Sequence, residues 1–336
     1  MKEGRNHEID VMKGILILMV VWGHIVYDVG KSLNLGWSEM MTGTVFCYTQ
    51  RLSDLFIAPY YMAAFFCVTG YCSSFSRALS EQIKTDFRRL LVPAVLIPPV
   101  MKLFLASPMQ SEYQFLIQLV HGRMPWFLIA LFLSKTIYKI LKEKISIVAI
   151  RWGGIFLSFI GCLLLNKCAE YNVLSIFHAM AFTLFIAIGH EARKHNVGRG
   201  AFFAALLCYG LILVLFRHLG YGIPALCAII TFRTIFHPIF VAHSISGTII
   251  CYFIAKFIGK SSVLEFLGRN SLVIYLTHVT FMLIAAPHMG DYIKTHMTNI
   301  GPSVFVVLVM LIGATLWGCF WAVIFNTKYL KWIIGK

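Results

Sequence analysis

The chain has 336 residues, 59% of them hydrophobic and 13% charged, with a mean hydropathy of +0.79. A soluble domain carries about 25% charged residues, so this composition excludes an ordinary water-soluble enzyme. The 29 Lys and Arg against 14 Asp and Glu give a formal charge of +15. The basic residues sit between apolar runs, where they read as topological signals and lipid-headgroup contacts rather than as a nucleic-acid surface.

The N-terminus opens on a charged stretch, and Val11–Val29 follows with no small-residue cleavage site after it. This predicts a retained first helix, not a removed signal peptide. Further apolar stretches fall near 55–76, 89–106, 124–141, 146–166, 173–190, 201–216, 238–258, 271–287 and 303–326. One crossing takes about 20 mostly apolar residues, so the expectation is all-α: a polytopic membrane helix bundle of about ten transmembrane helices. With no internal repeat and no long linker, residues 1–336 form a single membrane domain. The short apolar segment 222–236, interrupted by Arg233 and Pro238, reads as a re-entrant or buried piece.

Charge placement orients the bundle. With Lys2 and Arg5 on the cytoplasmic side, alternate loops carry Arg77, Lys84, Arg88 and Arg89, then Lys139, Lys142, Lys144 and Arg151. Arg193, Lys194 and Arg199 follow, then Lys256, Lys260 and Arg269, and last Lys328, Lys331 and Lys336. The opposite loops are poorer in Lys and Arg, which puts both termini in the cytoplasm. Segments 30–54 and 288–302 are then the longest outside loops and the expected acceptor-binding surface.

The first span contains residues that do not belong in lipid. At 100° per residue, Lys13 and His24 lie within about 20° of each other and about 16 Å apart along the axis. Asp10 falls on the same stripe, about 40° from His24. Ionisable groups in a span usually face a cavity or the bundle interior. Pairing of Asp10 with a snorkelling Lys13 is the plainer reading of those two, but His24 is too deep to snorkel. In the ninth span, Ser271, Tyr275 and His278 follow i, i+4, i+7 spacing and share a face, with Asn270 at the helix start. Such a face either lines a cavity or serves interhelical hydrogen bonds. Trp126 and Tyr71 suit packing or an interfacial belt as well as a site, and His121 and Arg123 suit a solvated loop as well as an acceptor contact. The nine cysteines and His178, His190, His237 and His243 lack metal-ligand spacing, so no metal is expected.

The first-span pattern, a basic residue and a histidine separated by ten positions with Lys-Gly and Gly-His flanks, resembles the acyltransferase-3 family, and its fucose 4-O-acetylase-like group in particular. The resemblance continues through Pro59, Gly70 and Tyr71, FRRLLVP at 87–93, PWFL at 125–128 and LGRNSLVIYLTH at 267–278. The family often has arginine where this chain has Lys13; lysine is a point charge without a bidentate fork. The resemblance implies an acyltransferase taking acyl-CoA, chiefly acetyl-CoA, as a cytoplasmic donor substrate with no tightly bound cofactor. It implies an envelope sugar or polysaccharide precursor as acceptor, and hence a bacterial cytoplasmic (inner) membrane location with membrane lipid as the surroundings.

Acyl transfer to a hydroxyl needs a base, and an imidazole titrates near neutral pH. His24, Asp10 and His278 are the catalytic candidates. No Ser-His-Asp or Cys-His arrangement is evident, which favours direct attack by the acceptor. Arg88 and Arg89 can hold CoA phosphates with guanidinium forks, or serve only as positive-inside anchors. Lys13 can add a phosphate contact or line the donor path. Tyr71, Trp126, Asn270, Ser271 and Tyr275 are the acceptor or cavity-lining candidates. The competing class is a multi-span transporter or flippase, for which 222–236 would be a broken helix.

Overall fold

The computed structural model describes residues 6–42, 44–58, 60–105, 125–164, 173–195, 197–218 and 238–336. Among these residues the chain is helical. The first helix, α1 (His7–Ser32), is 26 residues long, and Asn6 caps it by accepting from the Ile9 amide at 3.2 Å. It is followed by α2 (Trp37–Thr42), α3 (Thr44–Phe56), α4 (Tyr61–Cys72), α5 (Leu79–Asp86), a π-helical turn (Phe87–Leu91) and α6 (Val92–Lys102). Next come α7 (Trp126–Lys144), α8 (Val148–Leu164), α9 (Ile176–Ala192), α10 (Arg199–His218) and α11 (Pro238–Ile258). The remaining helices are α12 (Ser262–Arg269), α13 (Ser271–His288), α14 (Gly290–His296) and α15 (Ile300–Phe325).

Each of the ten apolar stretches contains a helix, but not each is a crossing by itself. Among the described residues, five helical segments are long and apolar enough: His7–Ser32, Val173–Ala192, Ile239–Ile258, Ser271–His288 and Ile300–Phe325. Helix α4 has 12 residues and so is about 18 Å long, short of the roughly 30 Å hydrocarbon core. The stretch 55–76 is broken because α3 runs on to Phe56 and turns at Ile57, Ala58 and Tyr60 precede α4. Helix α7 has 19 residues, but four lysines (Lys135, Lys139, Lys142, Lys144) and Glu143 lower its hydropathy. The segment 222–236 lies outside the described residues.

The core is centred on α1, which packs against α3, α4, α11, α12, α13 and α15. Leu16, Ile17, Val20, Val21 and Ile25 are all buried, so one long face of α1 is covered by protein rather than lipid. A second group gathers on α9, between α4, α7 and α8. Small residues set the closest approaches. Gly70 of α4 faces the Ile186 carbonyl of α9, and Gly189 of α9 faces the Cys67 carbonyl of α4. Gly14 and Gly268 play the same reciprocal part between α1 and α12, against the carbonyls of Leu264 and Asp10. Bundles in lipid gain from such backbone proximity, because apolar side chains are no better solvated by protein than by acyl chains.

The segment 30–54, expected as a loop, is mostly helical. Its polar residues hide a 3.6-residue period, and Met40, Phe46, Thr49 and Ser53 are buried. Trp22 of α1 donates its indole N–H to the Thr49 carbonyl at 3.3 Å. Segment 288–302 likewise contains α14.

Candidate active site

Two helices bring the site together. Helices α1 and α13 pack against each other, and the rings of His24 and His278 meet edge to face with centroids 5.1 Å apart and planes at 73°. His24 is half-buried, and its Nδ1 lies 3.0 Å from Oδ2 of Asp28, four residues on and buried. A carboxylate is an acceptor only, so Nδ1 carries the proton and donates, leaving the Nε2 lone pair for chemistry. Residues four apart on a helix are neighbours, so the backbone itself supplies this pairing.

His278 is 1% exposed. Its Nδ1 lies 3.0 Å from the Ile274 carbonyl and 2.9 Å from the Tyr275 carbonyl, so it too must carry the proton and donate. Its Nε2 is buried and has no hydrogen-bond partner among the described residues. Both imidazoles are thus fixed through Nδ1 and keep Nε2 uncommitted, one half-exposed and one enclosed.

Aromatic residues surround this pair. The Tyr275 ring lies 6.2 Å from His278 and 5.2 Å from Phe127 at the start of α7. Trp126, next in the same turn, packs on His178 of α9 with centroids 4.5 Å apart and on Phe182 at 6.1 Å. On the other side of α1, a Cβ at Gly23 would lie 3.6 Å from the Ser53 hydroxyl and 3.8 Å from that of Tyr61. Helix α3 therefore walls the His24 level. Its Asp54 is buried, and desolvation pushes the carboxyl up to about 6 despite the hydrogen bond from Gln50.

Other expected residues fall elsewhere. Asp10 is buried 14 residues before His24, about 21 Å along the axis, with its carbonyl against Gly268. It does not touch His24; the carboxylate that does is Asp28, and its i, i+4 spacing from His24 is the signal in the sequence. Lys13 is half-buried on α1. Tyr71 sits ten residues beyond Tyr61 on α4, about 15 Å from the His24 level. Asn270 is occupied at both ends of its amide, donating to the Phe266 carbonyl at 2.9 Å and accepting from Asn326 at 2.8 Å. Ser271 begins α13, about 10 Å before His278. His121 and Arg123 lie outside the described residues.

Arg88 and Arg89 are exposed on the π-helical turn. They border a cavity of about 350 Å³ together with Arg77, Lys84, Thr85, Gly335 and Lys336. Beneath that turn, buried Asp86 accepts from Lys135 of α7 at 2.5 Å and from Gln82 at 2.5 Å. The pair fixes the end of α5 and so the direction in which the arginines leave.

The described residues form a helical bundle in which five helices are long and apolar enough to cross a membrane, the class of an integral membrane protein. The chain belongs to the acyltransferase-3 family, whose model, described as an acyltransferase domain, matches residues 6–324. It is a membrane acyltransferase. No curated protein and no solved structure matches it.

Proposed function

We propose that the protein moves an acetyl group from acetyl-CoA to a hydroxyl of an envelope sugar or polysaccharide precursor, in a bacterial cytoplasmic membrane with both termini on the cytoplasmic side. The observation that carries this reading is the His24–Asp28 pair at 3.0 Å, with the His24 Nε2 uncommitted. Nε2 takes the acceptor's hydroxyl proton as its oxygen attacks the thioester carbonyl. The C–O bond forms, the C–S bond breaks, and the proton passes to the departing thiolate. Asp28 holds the imidazole in the required tautomer and stabilises the imidazolium that forms. Arg88 and Arg89 hold donor phosphates, and Lys13 lines the path along α1 between the donor and His24. Trp126, Tyr275 and His278 wall the reacting end.

The test compares wild type with His24→Ala in one membrane background, at matched abundance and folding, by mass spectrometry of ester-linked acetate on purified envelope glycans. Acetate with the wild type and none with the variant is expected. Equal acetate from both would remove His24 from the mechanism.

A further inference from the structure

We propose that the segment Asn326–Lys336 forms one wall of a binding site for a multiply phosphorylated group, with Arg77, Lys84, Arg88, Arg89 and Lys336 as its cations. This rests on the reading that acyl-CoA is the donor, and it adds three cations and a backbone wall to the arginine pair.

Among the described residues, the cavity lining contains five cationic side chains, the Thr85 hydroxyl and no acidic side chain. Like charges around one space repel one another, and a fold that assembles them is complementary to a polyanion. Arginine forks and lysine ammonium groups both suit phosphate oxygens. The 3′-phosphate and diphosphate of CoA together carry about four negative charges at neutral pH, since the second ionisation of a phosphomonoester lies near 6. Five cations match that load better than they match the single phosphate of a simple anionic lipid headgroup.

The wall is firmly docked, by three kinds of contact. Ile334 is buried with Ile97 and Met101 of α6, Val273 of α13 and Trp321 of α15. Gly335 adopts φ +69°, and a Cβ there would lie 2.8 Å from the Arg89 Cα and 2.9 Å from the Arg88 carbonyl oxygen. Glycine is required at that point on both counts. Lys336 donates to Asn326 Oδ1 at 2.7 Å, and Asn326 donates to Asn270 Oδ1 at 2.8 Å. Asn270, expected to line the acceptor site, instead anchors this wall to the start of α13.

The test titrates the full chain in phosphatidylcholine nanodiscs with adenosine 3′,5′-bisphosphate by calorimetry. The wild type is expected to bind, with Kd raised at least tenfold in the Lys84→Ala/Lys336→Ala double variant. Gly335→Ala, which removes no charge, is expected to raise Kd as well by displacing the wall. No binding by the wild type, or unchanged Kd in both variants, would overturn the site. In phosphatidylglycerol nanodiscs an unchanged affinity supports the nucleotide, whereas loss of nucleotide binding to lipid competition assigns the cavity to headgroups and overturns the proposal. The two readings fail separately. His24-dependent transfer without bisphosphate binding removes the site and keeps the enzyme, and binding without transfer does the reverse.

Discussion

Asp28 is the residue whose removal speaks most directly to mechanism. Its carboxylate is buried and faces His24 Nδ1 at 3.0 Å, so it selects which nitrogen keeps the lone pair. An asparagine can present its amide N–H to Nδ1 instead, which would move the imidazole proton to Nε2 and block proton abstraction. Asp28→Asn is therefore expected to lower kcat roughly 10²–10⁴-fold while leaving the KM for acyl-CoA near its wild-type value. Steady-state kinetics of the purified protein decide this; a variant with wild-type kcat would make Asp28 a packing residue. The first-span histidine was legible in the sequence because a deep imidazole has no cheap alternative. Its partner was not, because Asp28 sits near the end of a long helix, where a carboxylate reads as an ordinary interfacial charge.

At the scale of elements, helix contacts depend on positions where a side chain would have to enter a neighbouring backbone. Gly189 and Gly70 are the clearest pair, each facing a carbonyl of the other helix. Neither α4 nor α9 can yield by turning a rotamer, so Gly189→Ala must separate two backbones. Overpacking costs typically about 1–3 kcal/mol, and a backbone contact puts this site at the upper end. Gly210 of α10 has nothing within 4 Å of its would-be Cβ. There alanine should be neutral or stabilising by up to about 1 kcal/mol through helix propensity. Thermal denaturation in detergent, followed by fluorescence-detected size exclusion, is expected to lower the Gly189→Ala midpoint and leave that of Gly210→Ala unchanged or raised. Which glycines behave this way is invisible in the sequence, since both occur inside apolar helical runs. The helices themselves were legible from apolar length, whereas α2 and α3 were not, because only a buried stripe of Met40, Phe46, Thr49 and Ser53 distinguishes them from a polar loop.

At the scale of the whole molecule, the proposed chemistry requires two ends of one bundle to face different compartments. His24 lies 17 residues into α1, about 26 Å from its start. The cation-lined cavity sits at the π-helical turn between α5 and α6, held by the segment after α15. In the proposed orientation, drawn from the recurrence of Lys and Arg in alternate connections and the C-terminal segment, that cavity and Lys336 face the cytoplasm. Tyr27, three residues beyond His24 and 49% exposed, then belongs to the opposite side. Single cysteines at Lys84 and Tyr27, in a background with all nine native cysteines replaced, report this directly. In intact cells a membrane-impermeant maleimide is expected to label Tyr27→Cys and to spare Lys84→Cys until the membrane is opened. The inverse pattern would put the cations outside, away from a cytoplasmic donor, and would remove the reason for an acyl group to travel along α1 at all. Labelling of both positions in intact cells would mean that α1 does not separate the compartments, and the His24 site would then have to be reached by donor and acceptor from one side.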